Sequence, residues 1–173
     1  NGVDRIARLV SDLKSFSNVD RATGEFADLN DCLRQVASVI ACQLPTGVSL
    51  KLDLQTLPHL ICLPGHLNQA FFNLVRNGLQ PIADLGAPGD VAISSRHDAD
   101  GIVITIADSG VGMDAALREQ IGQPFFTTRP VGSGAGLGLA TARNIIQAHS
   151  GTMAITSAPG TGTTVTVTFP VSP

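Results

Sequence analysis

The sequence predicts an α+β fold in two layers, with about five strands in a mixed, mostly antiparallel sheet and three main helices on one of its faces. Two kinds of periodicity and the punctuation between them lead to that expectation. Apolar residues alternate at period two in several short runs, recur at steps of three and four in longer ones, and are separated by Gly, Pro, Asn and Asp. Composition agrees, because 43% hydrophobic and only 14% charged residues in 173 positions describe a chain that buries a core. That length suits one domain of about 100–200 residues with a short appendage.

The appendage comes first. Val3, Ile6, Val10 and Leu13 step along one helical face, widened by Leu9 and Phe16, with Arg5, Arg8, Asp12 and Lys14 between them. A lone helix of this length is marginal in water, so the stripe calls for a partner helix or a second copy of the chain. Residues 1–17 are therefore expected as a helix end, residues 18–25 as a polar linker, and residues 26–173 as the main domain. Because the chain enters a helical pattern directly from Asn1, a longer parent chain is expected.

Within the domain, Asp28 or Asn30 can cap a helix to about Gln43, Val48–Leu54 alternates as a strand, and Leu60–Leu63 is a short extended piece. A second helix is expected from about His66 to Ile82, with Pro81 shortening or kinking its last turn. Asp90–Arg96 and Ile102–Asp108 read as a hairpin. The glycine-rich stretch Gly110–Gly138, with one short helix near Asp114–Ile121, is long enough for a functional loop. Leu137–His149 reads as a third main helix ended by Gly151. Thr152–Ala158 and Gly162–Phe169 close the sheet around a Pro159-Gly160 turn.

Several function classes drop out. Eleven Lys and Arg against fourteen Asp and Glu give a net charge of -3 with no basic run, and there is neither Trp nor Tyr, so no nucleic-acid surface is expected. Three cysteines without a CxxC pair suggest small core side chains, not a disulfide framework or zinc site. No apolar stretch approaches the ~18 residues of a membrane span, and no signal-peptide pattern opens the chain.

Three clusters carry chemistry. Four-residue spacing lines Gln69, Asn73 and Asn77 along one helical face, and a neutral amide oxygen is a hard donor suited to Mg²⁺. The run Ile102–Asp108 ends in a carboxylate followed by Ser109-Gly110-Val111-Gly112. A carboxylate there can accept from the exocyclic amine of adenine and would repel the carbonyl of guanine, while the glycines let backbone approach a base. The same stretch matches the GxGxxA dinucleotide fingerprint, but a glycine-rich loop follows it where a parallel βαβ unit would be needed. Finally, Gly132-Ser133-Gly134-Ala135-Gly136-Leu137-Gly138-Leu139 opens a helix, supplying backbone amides for phosphate, with Phe125, Phe126, Thr127, Thr128 and Arg129 just upstream.

Taken in order, the asparagine helix, Asp-x-Gly-x-Gly, Phe-Phe-Thr-Thr and Gly-x-Gly-x-Gly resemble the N, G1, F and G2 boxes of sensor histidine kinases. That superfamily also holds gyrase, chaperone and mismatch-repair ATPases. The likeness covers about residues 26–170, and residues 2–17 look like the end of the second dimerisation helix. It implies a Bergerat-type ATP-binding domain with ATP and Mg²⁺ as ligands. By that likeness Asn77 would bind Mg²⁺, Asn73 would line the triphosphate site, and Asp108 would hold the adenine amine. Gly110 and Gly112 would shape the base pocket. Thr127, Thr128, Arg129, Gly134, Gly136, Leu137, Gly138 and Leu139 would form a lid, Thr163 would lie near the base, and Arg76 and Gln80 would neighbour the phosphates. Gly78 and Arg129 stand where the family most often has Ala and Lys.

The likeness also implies a two-component protein histidine kinase: cytoplasmic in this part, whether or not the whole protein is membrane-anchored, homodimeric, and partnered by a response-regulator receiver domain. ATP-hydrolysing relatives carry a Glu where Asn73 stands, and Asn cannot take a proton from water, which points away from a gyrase- or chaperone-type hydrolase. A nucleotide-sensing interaction module is the other alternative. None of His59, His66, His97 and His149 sits on a helix before an acid, so the phosphoacceptor is expected on a helix upstream of this sequence. The chain should not label itself, and Arg129 is its one candidate catalytic group.

Overall fold

The computed structural model describes residues 24–123, 125–128 and 136–171. The expected N-terminal helix and most of the linker lie outside these residues, as do Arg129, Gly132 and Gly134. Eleven elements follow in order: β1 Glu25–Ala27, α1 Leu29–Ala41, β2 Val48–Leu54, β3 Leu60–Cys62, α2 Pro64–Leu85, β4 Gly89–Asp98, β5 Gly101–Asp108, α3 Ala115–Gln120, α4 Gly138–Ala148, β6 Thr152–Ser157 and β7 Thr163–Phe169.

The sheet has five strands in the order β2-β4-β5-β7-β6, and all its pairs are antiparallel except β2 with β4. That is the mixed, mostly antiparallel sheet the sequence predicts. The helices α1, α2 and α4 cover one face. Alternation places Val91 and Ile93, then Ile102, Ile104 and Ile106, then Val165, Val167 and Phe169 against them, all buried. The helices return Leu33, Val36 and Ile40 from α1, Phe71, Leu74 and Val75 from α2, and Ile145 and Ile146 from α4.

One element was not expected at all. Glu25 and Phe26 belong to β1, which pairs antiparallel with β3 in a separate two-stranded sheet and places Phe26 opposite Ile61. His59 stacks on the Phe26 ring with centroids 4.9 Å apart. β3 falls on the extended piece expected at Leu60–Leu63, but its pairing with β1 joins positions more than thirty apart and is visible only in three dimensions.

Local signals at the helix ends do much to fix the layer. Asp28 is the cap of α1, its carboxylate accepting from Asn30 N–H at 2.9 Å. Asn30 is buried instead, donating to the Gln55 carbonyl at 2.7 Å and accepting from Ser95 Oγ at 2.7 Å. Helix α2 lacks a side-chain cap, and His149 substitutes for one. Its Nε2 accepts from Leu63 N–H at 3.0 Å, and its Nδ1 lies 2.7 Å from the Ile145 carbonyl, to which it donates. This histidine joins the end of α4 to the start of α2. Cys32 and Cys62 are buried, and burial pushes the Cys32 thiol up to about 11. Cys42 is exposed and so is not the core residue expected.

Helix α2 is longer than the sequence reading allows, because Pro64 starts it and it continues through Pro81 to Leu85. Proline at the first helical position costs nothing, since its missing N–H would have no partner there. Among the described residues no helix is long and apolar enough to cross a membrane.

Candidate nucleotide-binding site

The same alternation that builds the core builds the site. Ile102, Ile104 and Ile106 face the helices, so Asp108, two residues on, faces them as well. Register carries this across the sheet, with Val91, Asp108, Thr163 and Ser157 in one row at its end. The row is apolar on one side of Asp108 and hydroxylic on the other.

Asp108 is held firmly. Its Oδ1 accepts from Gly110 N–H at 2.9 Å and Thr163 N–H at 3.2 Å. Among the described residues no hydrogen bond occupies Oδ2, and Asp108 lines a cavity of about 400 Å³. Burial raises its pKa above the ordinary carboxylate value, and the two backbone N–H donors oppose that rise. Gly78 makes room for this carboxylate, since a Cβ there would stand 3.2 Å from Asp108 Cβ. Gly162, at φ 79°, brings its backbone against the Asp108 carbonyl, where any side chain would collide.

The far wall comes from α2, which presents Asn73, Arg76, Asn77, Gly78, Gln80 and Pro81 to the same cavity. Gln80 is tied to its neighbour Asp84, donating from Nε2 to Oδ1 at 2.8 Å. The start of α4 closes on Asn73, whose Cγ lies 3.8 Å from where a Gly138 Cβ would be. Gly112, Met113, Thr127, Thr128, Gly136, Leu137 and Leu139 complete much of the lining.

Ser157, which the sequence reading missed, organises the turn beside Asp108. Its Oγ accepts from Met113 N–H at 2.8 Å, donates to the Gly162 carbonyl at 2.9 Å and lies 2.8 Å from Thr163 Oγ1. In β6 exposed and half-buried positions alternate until Ser157, its one buried residue, and that burial is invisible without the fold. The two phenylalanines also separate. Phe126 lines the cavity, whereas Phe125 is 65% exposed with φ 66°.

So Asn73, Asn77, Asp108, Gly112, Thr127, Thr128, Gly136, Leu137, Gly138, Leu139 and Thr163 share one cavity, while Gly110 sits beside it against Asp108 and Pro81. Arg129 and Gly134 fall outside the described residues. Among the described residues no histidine lines the cavity. Among the described residues no cluster of three or more His, Cys, Asp or Glu offers an all-protein metal site.

Comparison with known proteins agrees with this geometry. Residues 62–173 match the family of histidine kinase-, DNA gyrase B- and HSP90-like ATPases. The sensor histidine kinase ZraS of Escherichia coli (strain K12) is 31% identical over 171 residues, covering 98% of this chain and 36% of that protein. Sporulation kinase E of Bacillus subtilis (strain 168) is 33% identical over 128 residues, covering 73% of this chain and 17% of that protein. The chain thus spans about a third of its ZraS relative or less of the kinase it matches from Bacillus. Among solved structures, the Acinetobacter baumannii histidine kinase AdeS superposes with a TM-score of 0.78 at 23% identity, over 99% of this chain and 81% of that one. The catalytic domain of histidine kinase ThkA superposes with a TM-score of 0.72 at 25% identity, over 86% of this chain and 99% of that one. The asparagine wall, the carboxylate row and the glycine-rich entrance to α4 therefore have a family context, and the chain belongs to the histidine kinase-, DNA gyrase B- and HSP90-like ATPases as the catalytic domain of a histidine kinase.

Proposed function

We propose that the cavity binds ATP with Mg²⁺ and presents the γ-phosphate to a histidine on another domain of a two-component sensor kinase. The observation that carries this reading is the convergence of Asn73, Asn77 and Asp108 on one cavity of nucleotide size. Asp108 Oδ2 selects adenine by accepting from its amine. Thr163 and Gly110 hold the carboxylate in place from behind, through the bonds already described.

The donor set fits a magnesium ion. With no carboxylate cluster nearby, a single hard amide oxygen from Asn77 would hold a cation that takes its other ligands from water and phosphate. When bound, the ion neutralises charge on the phosphates. The chain itself contributes position: Asn73 and the first turn of α4 border the phosphate end, with the N–H groups of Gly138 and Leu139 available to anionic oxygens. Thr127, Thr128, Arg129 and Gly134 belong to the covering loop in this reading, and Arg129 is its candidate catalytic cation.

Asn73 holds no proton-accepting group, which favours transfer over hydrolysis. The domain would act in the cytoplasm, within a homodimer whose dimerisation helix ends at residues 1–17, and its product would serve a response-regulator receiver domain. The test uses the chain with ATP labelled on the γ-phosphate. Label should pass to a separately supplied dimerisation domain bearing the phosphoacceptor histidine and not to the chain itself. Steady phosphate release without that domain would instead identify a hydrolase.

A further inference from the structure

Helix α2 runs without a break from Pro64 to Leu85 although Pro81 lies inside it. Proline has no N–H, so the carbonyl four residues earlier loses its helical donor, and the ring presses that carbonyl outward. That residue is Asn77. The positions that bracket its carbonyl on the helix surface, Asn77, Gly78 and Pro81, all line the cavity. Gly78 adds no side chain to cover it, since the glycine is packed against Asp108. Gly110 packs against Pro81, where a glycine-borne Cβ would stand 3.1 Å from Pro81 Cβ. The ring is thus fixed between the helix and the turn after β5.

A peptide carbonyl withdrawn from its helical partner needs another donor. Pro81 cannot supply the usual one, and Asn77, Gly78 and Pro81, which flank this carbonyl along the helix, line the binding cavity. We infer that the backbone carbonyl of Asn77 is an acceptor subsite of the nucleotide complex, taking an N–H or O–H donor from the nucleoside or from water carried by its cation. The inference rests on the reading of the cavity as a nucleotide site. Pro81 thereby exchanges a hydrogen bond internal to the helix for one made only when ligand is present. In a family position reached by sequence alone, Asn77 contributes a side-chain oxygen; here it contributes a main-chain oxygen as well.

The test compares Pro81→Ala and Pro81→Val with the unsubstituted chain. Both variants restore the N–H, and they differ in bulk, which separates a hydrogen-bond effect from loss of the contact with Gly110. Thermal midpoints are measured without ligand, and calorimetric affinities for adenosine, ADP and ADP with Mg²⁺. Both variants should melt higher, because the Asn77 carbonyl regains its helical donor. Both should bind ADP with Mg²⁺ roughly threefold to tenfold more weakly, the span of one ordinary hydrogen bond. An equal loss for adenosine assigns the donor to the nucleoside; a loss confined to ADP with Mg²⁺ assigns it to the water shell of the cation. Unchanged affinity for all three ligands, or variants that melt no higher, would overturn the subsite. Failure of the unsubstituted chain to bind any of the three would instead overturn the nucleotide reading itself.

Discussion

Replacing Asp108 by asparagine changes one atom's chemistry and little else. Asn retains Oδ1, so the N–H groups of Gly110 and Thr163, now 2.9 and 3.2 Å from that oxygen, keep their acceptor. Oδ2 becomes an NH₂ group, which faces the amine of adenine donor to donor. The lost bond to a charged acceptor is worth about 1.5–3 kcal/mol, so ADP should bind roughly tenfold to 150-fold more weakly. Stability should hold, because burial already disfavours the carboxylate and the amide carries no charge to desolvate. Asp108→Ala must behave differently. It orphans two N–H groups at about 1 kcal/mol or more each, and should lower the melting temperature by about 4–8 °C at the 2–4 °C per kcal/mol of a domain this size. Calorimetry with ADP and GDP, beside thermal melts, separates the two effects. An Asp108→Asn variant that binds ADP as tightly as before would refute the assignment of Oδ2 to the purine.

Other expectations follow from the same geometry. Because Asp108 has a raised pKa, its carboxylate takes up a proton above the usual carboxylate range as pH falls; ADP affinity should decline there, and Asp108→Asn should flatten that dependence in calorimetry. The sign for stability is opposite: a raised carboxylate favours the folded state below the ordinary carboxylate pKa and loses that contribution as pH rises through the folded value. Asn77→Ala should leave adenosine binding intact and abolish the difference between ADP titrations with and without Mg²⁺. Gly136 has φ 69°, and a Cβ there would press on the Phe125 and Phe126 backbone; Gly136→Ala should weaken ATP more than adenosine in the same assay. His149→Ala orphans Leu63 N–H and should cost about 1–3 kcal/mol in urea unfolding.

Much of the fold was legible because its signals are local. Val48–Leu54 could be read from alternation, the Asp28 cap from residue type, and the β4–β5 hairpin from the turn between its strands. The ends of α2 were misjudged at its two prolines: the helix was expected from about His66 to Ile82 with Pro81 shortening or kinking its last turn, whereas Pro64 starts it and Pro81 is carried inside it to Leu85. β1 and its partner β3 depend on a pairing across more than thirty positions of sequence, about which three-residue strands say nothing by themselves. The site divides in the same way. Asn73, Asn77 and Asp108 were marked by type and spacing. Ser157 and Gly78 were not, because their roles are contacts with residues distant in sequence.

A shared nucleotide site requires Asn77 and Asp108 to serve one ligand. Heteronuclear NMR of the ¹⁵N-labelled chain titrated with ADP and Mg²⁺ observes both ends together, through the Asn77 side-chain amide and the Gly110 and Thr163 backbone amides that bind Asp108. All three should move along one saturation curve with a single dissociation constant. Saturation of the Gly110 and Thr163 signals while the Asn77 amide stays still, or separate constants for the two ends, would contradict a shared nucleotide site.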